Sequence, residues 1–336
     1  MNTSPFLTEQ QWAEYARTGY LRLGKILDEA SIKLLSQRAD DLASGKIKNP
    51  AIQMQLDTGG IYEELPEANS HFEPAGLLYR KIQGLESENL FAPLVKHPLF
   101  TAIGAHEYGA HVSLSTFRAM VMNKPAGQGT LLPWHQDGGE VWALDRDPLI
   151  TIWIALDPAT QANGCIEIIS GSHRLGLLST HGSTISDQDV LRHCPEDKIE
   201  LLEVEAGHGL LMHNWLIHRS GLNPSPRPRR AFTACYMDSR TQSVLTGHTF
   251  PLVHERPPAQ PHPFIHQFQI DNAFLRKTAA KSEEYALSLL EANAVLQESQ
   301  AESASYARHL EDELRKLNER QNPRKSIVNW LRKLAG

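Results

Sequence analysis

Between Val112 and Asp238 the chain is cut into short runs rich in β-branched and aromatic residues, each closed by Gly, Pro, Asn or Asp. Phe117–Val121, Leu149–Leu156, Ile166–Ile169, Ile199–Val204, Gly209–His213 and Ala231–Met237 all have the length and composition of strands. Several such runs at close spacing predict a sandwich or small barrel. Ahead of them the periodicity changes. Thr8-Glu9-Gln10-Gln11 reads as a helix start, Trp12, Tyr15 and Ala16 recur at helical spacing, and Gly19 closes the segment. Tyr20–Leu23 alternates like a strand, and a second helix is expected from Asp28 to about Leu42. Residues 45–80 are polar and irregular, with Gly59-Gly60 and Pro66, and a connection of that length often serves as a lid.

At 336 residues the chain can bury a full core. Its net charge of -6 gives no basic footprint, which argues against nucleic acid as a partner. The three cysteines, Cys165, Cys194 and Cys235, include no C-x-x-C pair and read as reduced thiols. Met1–Pro5 leads into a polar helix without an apolar run, and no stretch reaches the roughly eighteen apolar residues of a membrane span. The expectation is a cytoplasmic protein acting on a small molecule.

Chemistry concentrates at His135-Gln136-Asp137. On a strand, side chains two apart share a face, so His135 and Asp137 can reach one metal ion while Gln136 points away. Two imidazoles and one carboxylate form the facial triad of non-haem iron(II), which leaves positions for a substrate, a cosubstrate and oxygen. The second imidazole has four candidates downstream: His173, His208, His213 and His218. A guanidinium at Arg229 supplies a fork for a carboxylate and points to a dicarboxylic cosubstrate such as 2-oxoglutarate. Arg230 faces the other way on the same strand and Arg227 precedes Pro228, so both read as surface charges.

Asn123-Lys124-Pro125, Leu132 to Asp137, Asn163-Gly164-Cys165-Ile166, Ser170-Gly171-Ser172-His173, His218 to Asn223 and Pro228-Arg229-Arg230 follow in one order. That ordered set resembles the phytanoyl-CoA dioxygenase family of iron(II)/2-oxoglutarate oxygenases, over residues 8 to 240. The resemblance implies a mainly β protein: a double-stranded β-helix, a jelly roll of cupin type, with helices packed on one side. It selects His218, which alone precedes a small-residue turn and an Asn, as the third ligand. It assigns Arg229, supported by Ser220, to the far carboxylate of 2-oxoglutarate, and places Lys81, Met120 and Trp153 in the cosubstrate pocket. The implied reaction converts 2-oxoglutarate to succinate while hydroxylating an unactivated C–H bond. Related halogenases carry a small residue where this chain has Asp137, so hydroxylation or desaturation is favoured. One departure concerns Arg219, which follows the distal histidine where the family often has glycine. It suits solvent or an anionic substrate group, and puts a fatty acyl-CoA substrate in doubt. Gln136, Glu140, Trp142, Arg146 and Arg219 are the candidate substrate contacts.

The dioxygenase domain is expected to span residues 1–250, followed by a proline-rich linker at 251–271 and a helical extension at 272–336. Leu289, Ala292 and Leu296, then Tyr306, Leu310, Leu314 and Leu317, keep helical spacing across a polar interruption, which predicts a helical hairpin or leaky coiled coil. The basic amphipathic end, Arg324–Ala335, suits docking on the protein's own body or on a sister chain of a homo-oligomer, with peripheral membrane contact as the alternative. The substrate is expected to be a small metabolite or a sugar or lipid precursor, and Tyr306 to Leu314, which resembles segments appended to bacterial surface-polysaccharide enzymes, suggests the glycan option. Two rival functions stand beside the oxygenase: a catalytically silent jelly-roll assembly module acting through the C-terminal helices, and a zinc-dependent cupin-like enzyme. An intact triad opposes the first, and Arg229 has no role in the second.

Overall fold

The computed structural model describes residues 7–59, 62, 74–127, 129–179, 181–256, 305, 307–316 and 330–334. By its internal contacts the chain divides into two units, Met1–Pro258 and Ala259–Gly336.

The first unit opens with α1 (Glu9–Thr18). The Thr8 hydroxyl accepts from the Gln11 amide while the Gln11 side chain accepts from the Thr8 amide, a reciprocal cap that fixes the helix start. Gly19, at φ 80°, ends the helix and turns the chain into β1 (Tyr20–Lys25). Asp28 caps α2 (Glu29–Ala43) through the Ser31 amide. One strand, β2 (Gln53–Leu56), lies within the stretch read as irregular, and β3 (Tyr79–Gln83), whose residues alternate as a strand, follows it. They are followed by α3 (Ala92–Val95) and α4 (Pro98–Tyr108), which the sequence reading did not anticipate. Then come β4 (Leu114–Lys124), β5 (Leu132–Gln136), β6 (Ile150–Ala155), β7 (Ile166–Ile169), β8 (Ser183–Thr184), α5 (Asp187–His193), β9 (Ile199–Leu202), β10 (His208–His213), β11 (His218–Ser220), β12 (Arg229–Asp238) and β13 (Leu252–His254).

The strands form two antiparallel sheets. The larger runs β1-β10-β6-β12-β4-β3-β2, with β13 also on β4; the smaller runs β8-β5-β11-β7-β9. From β4 to β7, and again from β10 to β12, successive strands alternate between the sheets, which is the connectivity of a double-stranded β-helix. The larger sheet extends beyond the expected core at both ends, through β1 to β3 and β13. Thus Leu252–His254, assigned to the linker from its prolines, is a strand paired with Leu114 and Ser115.

Alternation along the strands gives the larger sheet two unlike faces. Val121, Ile152, Ile154, Phe232, Ala234 and Tyr236 pack against Leu35, Ala39, Leu42, Phe100 and Ile103 of the helices. Each buried Val, Leu, Ile or Phe among them contributes ~1.5–3 kcal/mol, so packing fixes the helix layer. The intervening residues Met120, Trp153, Thr233 and Cys235 line a cavity on the other face. In the second unit residues 307–316 and 330–334 are helical. The rest of the expected hairpin or coiled coil, and the proline-rich segment from residue 257, lie outside the described residues. No helix among the described residues is long and apolar enough to cross a membrane.

Candidate active site

His135 on β5 lies directly opposite His218 on β11 in antiparallel register, so strand pairing alone sets the two imidazoles side by side. Their ring centroids are 4.0 Å apart. Asp137, just past the end of β5, brings Oδ2 to 4.0 Å from His218 Nε2. The donor atoms of the three residues lie within 4.8 Å of one another, and no other group of His, Cys, Asp or Glu among the described residues converges in this way. Nδ1 of His135 is 2.9 Å from the Pro133 carbonyl, and Nδ1 of His218 is 2.8 Å from the Leu216 carbonyl. A carbonyl only accepts, so each Nδ1 carries the proton and each Nε2 keeps its lone pair for the site. Burial first, and the adjacent His218 ring second, push the His135 pKa down to about 3, which keeps this imidazole a neutral donor. The main chain steadies the carboxylate as well. The Asp137 amide donates to Asn214 O at 2.8 Å, and Gly138, at φ 140°, turns the chain where a Cβ would meet the Asp147 carboxylate.

At the far end of the cavity Arg229 opens β12 and is 4% exposed. One terminal nitrogen donates to Gly164 O at 2.8 Å, while the buried Nε has no partner among the described residues. Burial lowers its pKa to about 10, which leaves it charged at neutral pH. An uncompensated buried cation is costly by several kcal/mol, and a bound carboxylate removes that cost. Ser220 lines the same end, and the Trp153 ring centroid is 5.9 Å from the guanidinium carbon. Met120 and Lys81 also line the cavity, whose volume is about 340 Å³. Burial, then Arg80 and Arg118, lowers the Lys81 pKa to about 7. Lys124, which donates to Thr130 O at 2.5 Å, is lowered to about 6 by burial and then by Arg229. The donor set therefore fits iron(II), and the lone guanidinium beyond it fits the distal acid of 2-oxoglutarate.

The rival histidines do not join the triad, although His213 lines the same cavity. His173 Nε2 lies 3.2 Å from Ala16 O, His213 Nδ1 accepts from the Trp215 amide, and His208 pairs loosely with Glu205. Of the candidate substrate contacts, only Trp142 and Arg219 line the cavity. Gln136 is a structural clamp: its amide donates to Gly176 O and Trp215 O, and its oxygen accepts from the Leu178 amide. Glu140 is exposed and faces His181, while Arg146 pairs with Asp145 and Asp238. Arg219 is committed to Glu167 at 2.8 Å and lies over the Trp134 ring. Arg230 is no free surface charge, since it is mostly buried and bound to Asp157 and Asp40; Arg227 is exposed, as expected. The sequence reading missed Arg118, Thr151, Met212 and Tyr62 in the cavity lining. Arg118 had a usable signal, lying two residues before Met120 and so on the same face of β4.

Facing antiparallel sheets around two imidazoles, a carboxylate and a buried unpaired guanidinium define a class: the 2-oxoglutarate-dependent non-haem iron dioxygenases. The profile of the phytanoyl-CoA dioxygenase (PhyH) family matches residues 15–231, and the chain belongs to that family. A probable phytanoyl-CoA dioxygenase of Caenorhabditis elegans is 25% identical over 241 residues, 68% of this chain and 75% of that protein. Peroxisomal phytanoyl-CoA dioxygenase of Homo sapiens is 22% identical over 244 residues, 69% of each chain. Among solved structures, EctD of S. alaskensis with 2-oxoglutarate and 5-hydroxyectoine shares the fold with a TM-score of 0.55 at 19% identity, covering 77% of this chain and 90% of its own. The epimerase SnoN, in complex with Fe3+, alpha ketoglutarate and nogalamycin RO, does so with a TM-score of 0.53 at 19% identity, covering 76% and 92%.

Proposed function

We propose that this dioxygenase hydroxylates an unactivated C–H bond of a small metabolite or of a sugar or lipid precursor. In the balanced reaction, substrate, oxygen and 2-oxoglutarate give hydroxylated product, succinate and carbon dioxide. His135, Asp137 and His218 would hold iron(II), and Arg229 with Ser220 would hold the distal carboxylate of the cosubstrate. Lys81, Met120 and Trp153 complete that pocket, Lys81 by charge and the other two as walls. Iron with 2-oxoglutarate and oxygen supplies the oxidising power for C–H cleavage. The chain contributes position and protonation state. The Pro133 and Leu216 carbonyls hold both imidazoles in one tautomer, and the apolar walls at Met120 and Trp153 limit water around the cosubstrate.

The observation that carries this reading is the convergence of the triad within 4.8 Å in the wall of a cavity that Arg229 also lines. Anaerobic addition of iron(II) and 2-oxoglutarate is expected to give a visible metal-to-ligand charge-transfer band in the wild type, and none in His135→Ala. A colourless wild type, or a His135→Ala variant that keeps the band, sinks the reading.

A further inference from the structure

Arg118 is a charged residue of the cavity that the reaction has not used. It sits on β4 opposite Cys235, on the face shared by Met120 and Met122. Lys124, six residues on, is the register partner of Arg229, so about 20 Å of strand separates the two guanidinium-bearing positions. Arg118 thus lies at the other end of the cavity from the cosubstrate's distal anchor. Asp137 is its strongest acidic influence, which places it on the metal's side of the pocket.

The surroundings hold this guanidinium without neutralising it. Its central carbon is 4.3 Å from the Phe117 ring centroid and 4.7 Å from that of Trp142, and the two rings stack 4.8 Å apart. Phe117 is the extra residue of a β-bulge, because Cys235 pairs with Arg118 while Tyr236 pairs with Thr116. A bulge re-aims side chains, and this one brings an aromatic face to the guanidinium. Ring faces fix the guanidinium plane and use none of its N–H donors. Among the described residues Arg118 has no hydrogen bond and no ion pair. Lys81, on the neighbouring strand opposite Met122, is a second cation that feels Asp137 but has no ion pair among the described residues. The other arginines here are committed, Arg219 to Glu167 and Arg80 to Gln55.

We propose that Arg118 sets substrate specificity by binding an oxyanion of the substrate, a carboxylate or a phosphate monoester, so that the C–H bond to be oxidised lies between that anion and the metal. The inference rests on the iron/2-oxoglutarate reading for the metal's place. A cavity of about 340 Å³ shared with the cosubstrate restricts the part enclosed to a small acidic molecule or a short acidic end.

The test uses wild type and Arg118→Gln, both loaded anaerobically with iron(II) and 2-oxoglutarate. Each is titrated calorimetrically with short alkyl carboxylates, the matching alkyl phosphates and the uncharged amides of the same acids. At least one acid or phosphate should bind wild type about tenfold or more tightly than its amide, the phosphate and carboxylate arms telling which oxyanion is read. Arg118→Gln should erase that preference with a loss of about 10- to 100-fold, and Arg118→Lys should restore part of it. Cosubstrate affinity, read from the charge-transfer band, should stay within about twofold in Arg118→Gln, and the band itself reports a folded site. Acids and amides binding wild type alike, or no acid binding at all, overturns the proposal. So does an equal loss of 2-oxoglutarate affinity in Arg118→Gln, which would make Arg118 a cosubstrate anchor. A missing band in wild type is a separate failure, that of the iron reading.

Discussion

On β12, Arg229 faces the cavity and Arg230 faces the helices. Arg230 donates from Nε and a terminal nitrogen to Asp157 at 2.8 and 3.0 Å, and from its other terminal nitrogen to Asp40 at 2.9 Å. Burial works against its charge, but Asp157 and Asp40 outweigh that and raise its pKa. Arg229 has only the Gly164 carbonyl. The contrast extends across the larger sheet: its outer face pairs Arg230 with two acids, while among the described residues its inner face gives Arg229, Arg118 and Lys81 no ion pair. A buried cation with acids around it is part of the structure; one without them, in a cavity, is waiting for a ligand.

The sharpest way to break the comparison is to remove each arginine in turn. Arg229→Ala is expected to weaken 2-oxoglutarate binding by about 100-fold or more, with thermal stability unchanged or higher because a lone buried charge is gone. Arg230→Ala should do the reverse, costing about 2–4 kcal/mol in urea melts by stranding Asp157 and Asp40, with the charge-transfer band intact. An exchange of those two outcomes would refute the distinction.

A smaller effect follows from pH. Burial leaves Lys81 with a pKa of about 7 and Lys124 with one of about 6. A bound dicarboxylate favours the ammonium forms and raises both values. Above the free-state pKa each lysine must take up a proton as the anion binds, so cosubstrate affinity should fall as pH rises past 7, by at most about tenfold per unit for each coupled lysine. Titrating the band across this range, with Lys81→Met expected to flatten the slope, checks the sign. The smallest effect expected is for Glu140→Ala and Arg146→Ala, both exposed and outside the cavity, which should change oxygen uptake and cosubstrate affinity by less than about twofold.

Much of this site was legible because strands alternate. His-x-Asp puts two ligands on one face, and Arg229 and Arg230 on opposite faces, from the sequence alone. Alternation says nothing of what an outward side chain meets. Asp40 and Asp157, which hold Arg230, come from α2 and from the end of β6, and no local pattern links them to it. Glu140 and Arg146 failed for a related reason. The glycine turn after Asp137 leads into a short 3-10 helix, Glu140–Trp142, that presents Val141 and Trp142 to the cavity and leaves Glu140 in solvent. α4 went unread because it is apolar on most sides, with Phe100 and Ile103 buried, and so lacks a clear helical stripe.

The surplus residue at Phe117 has a further consequence. Leu114 and Thr116 before it stand opposite Asp238 and Tyr236, and Arg118 after it stands opposite Cys235, so the two flanks of β4 would keep in phase if Phe117 were deleted. A lineage could gain or shed this one codon without turning any other side chain over. The aromatic seat beside Arg118 is in that sense a detachable part, adjustable while the oxidising centre stays as it is.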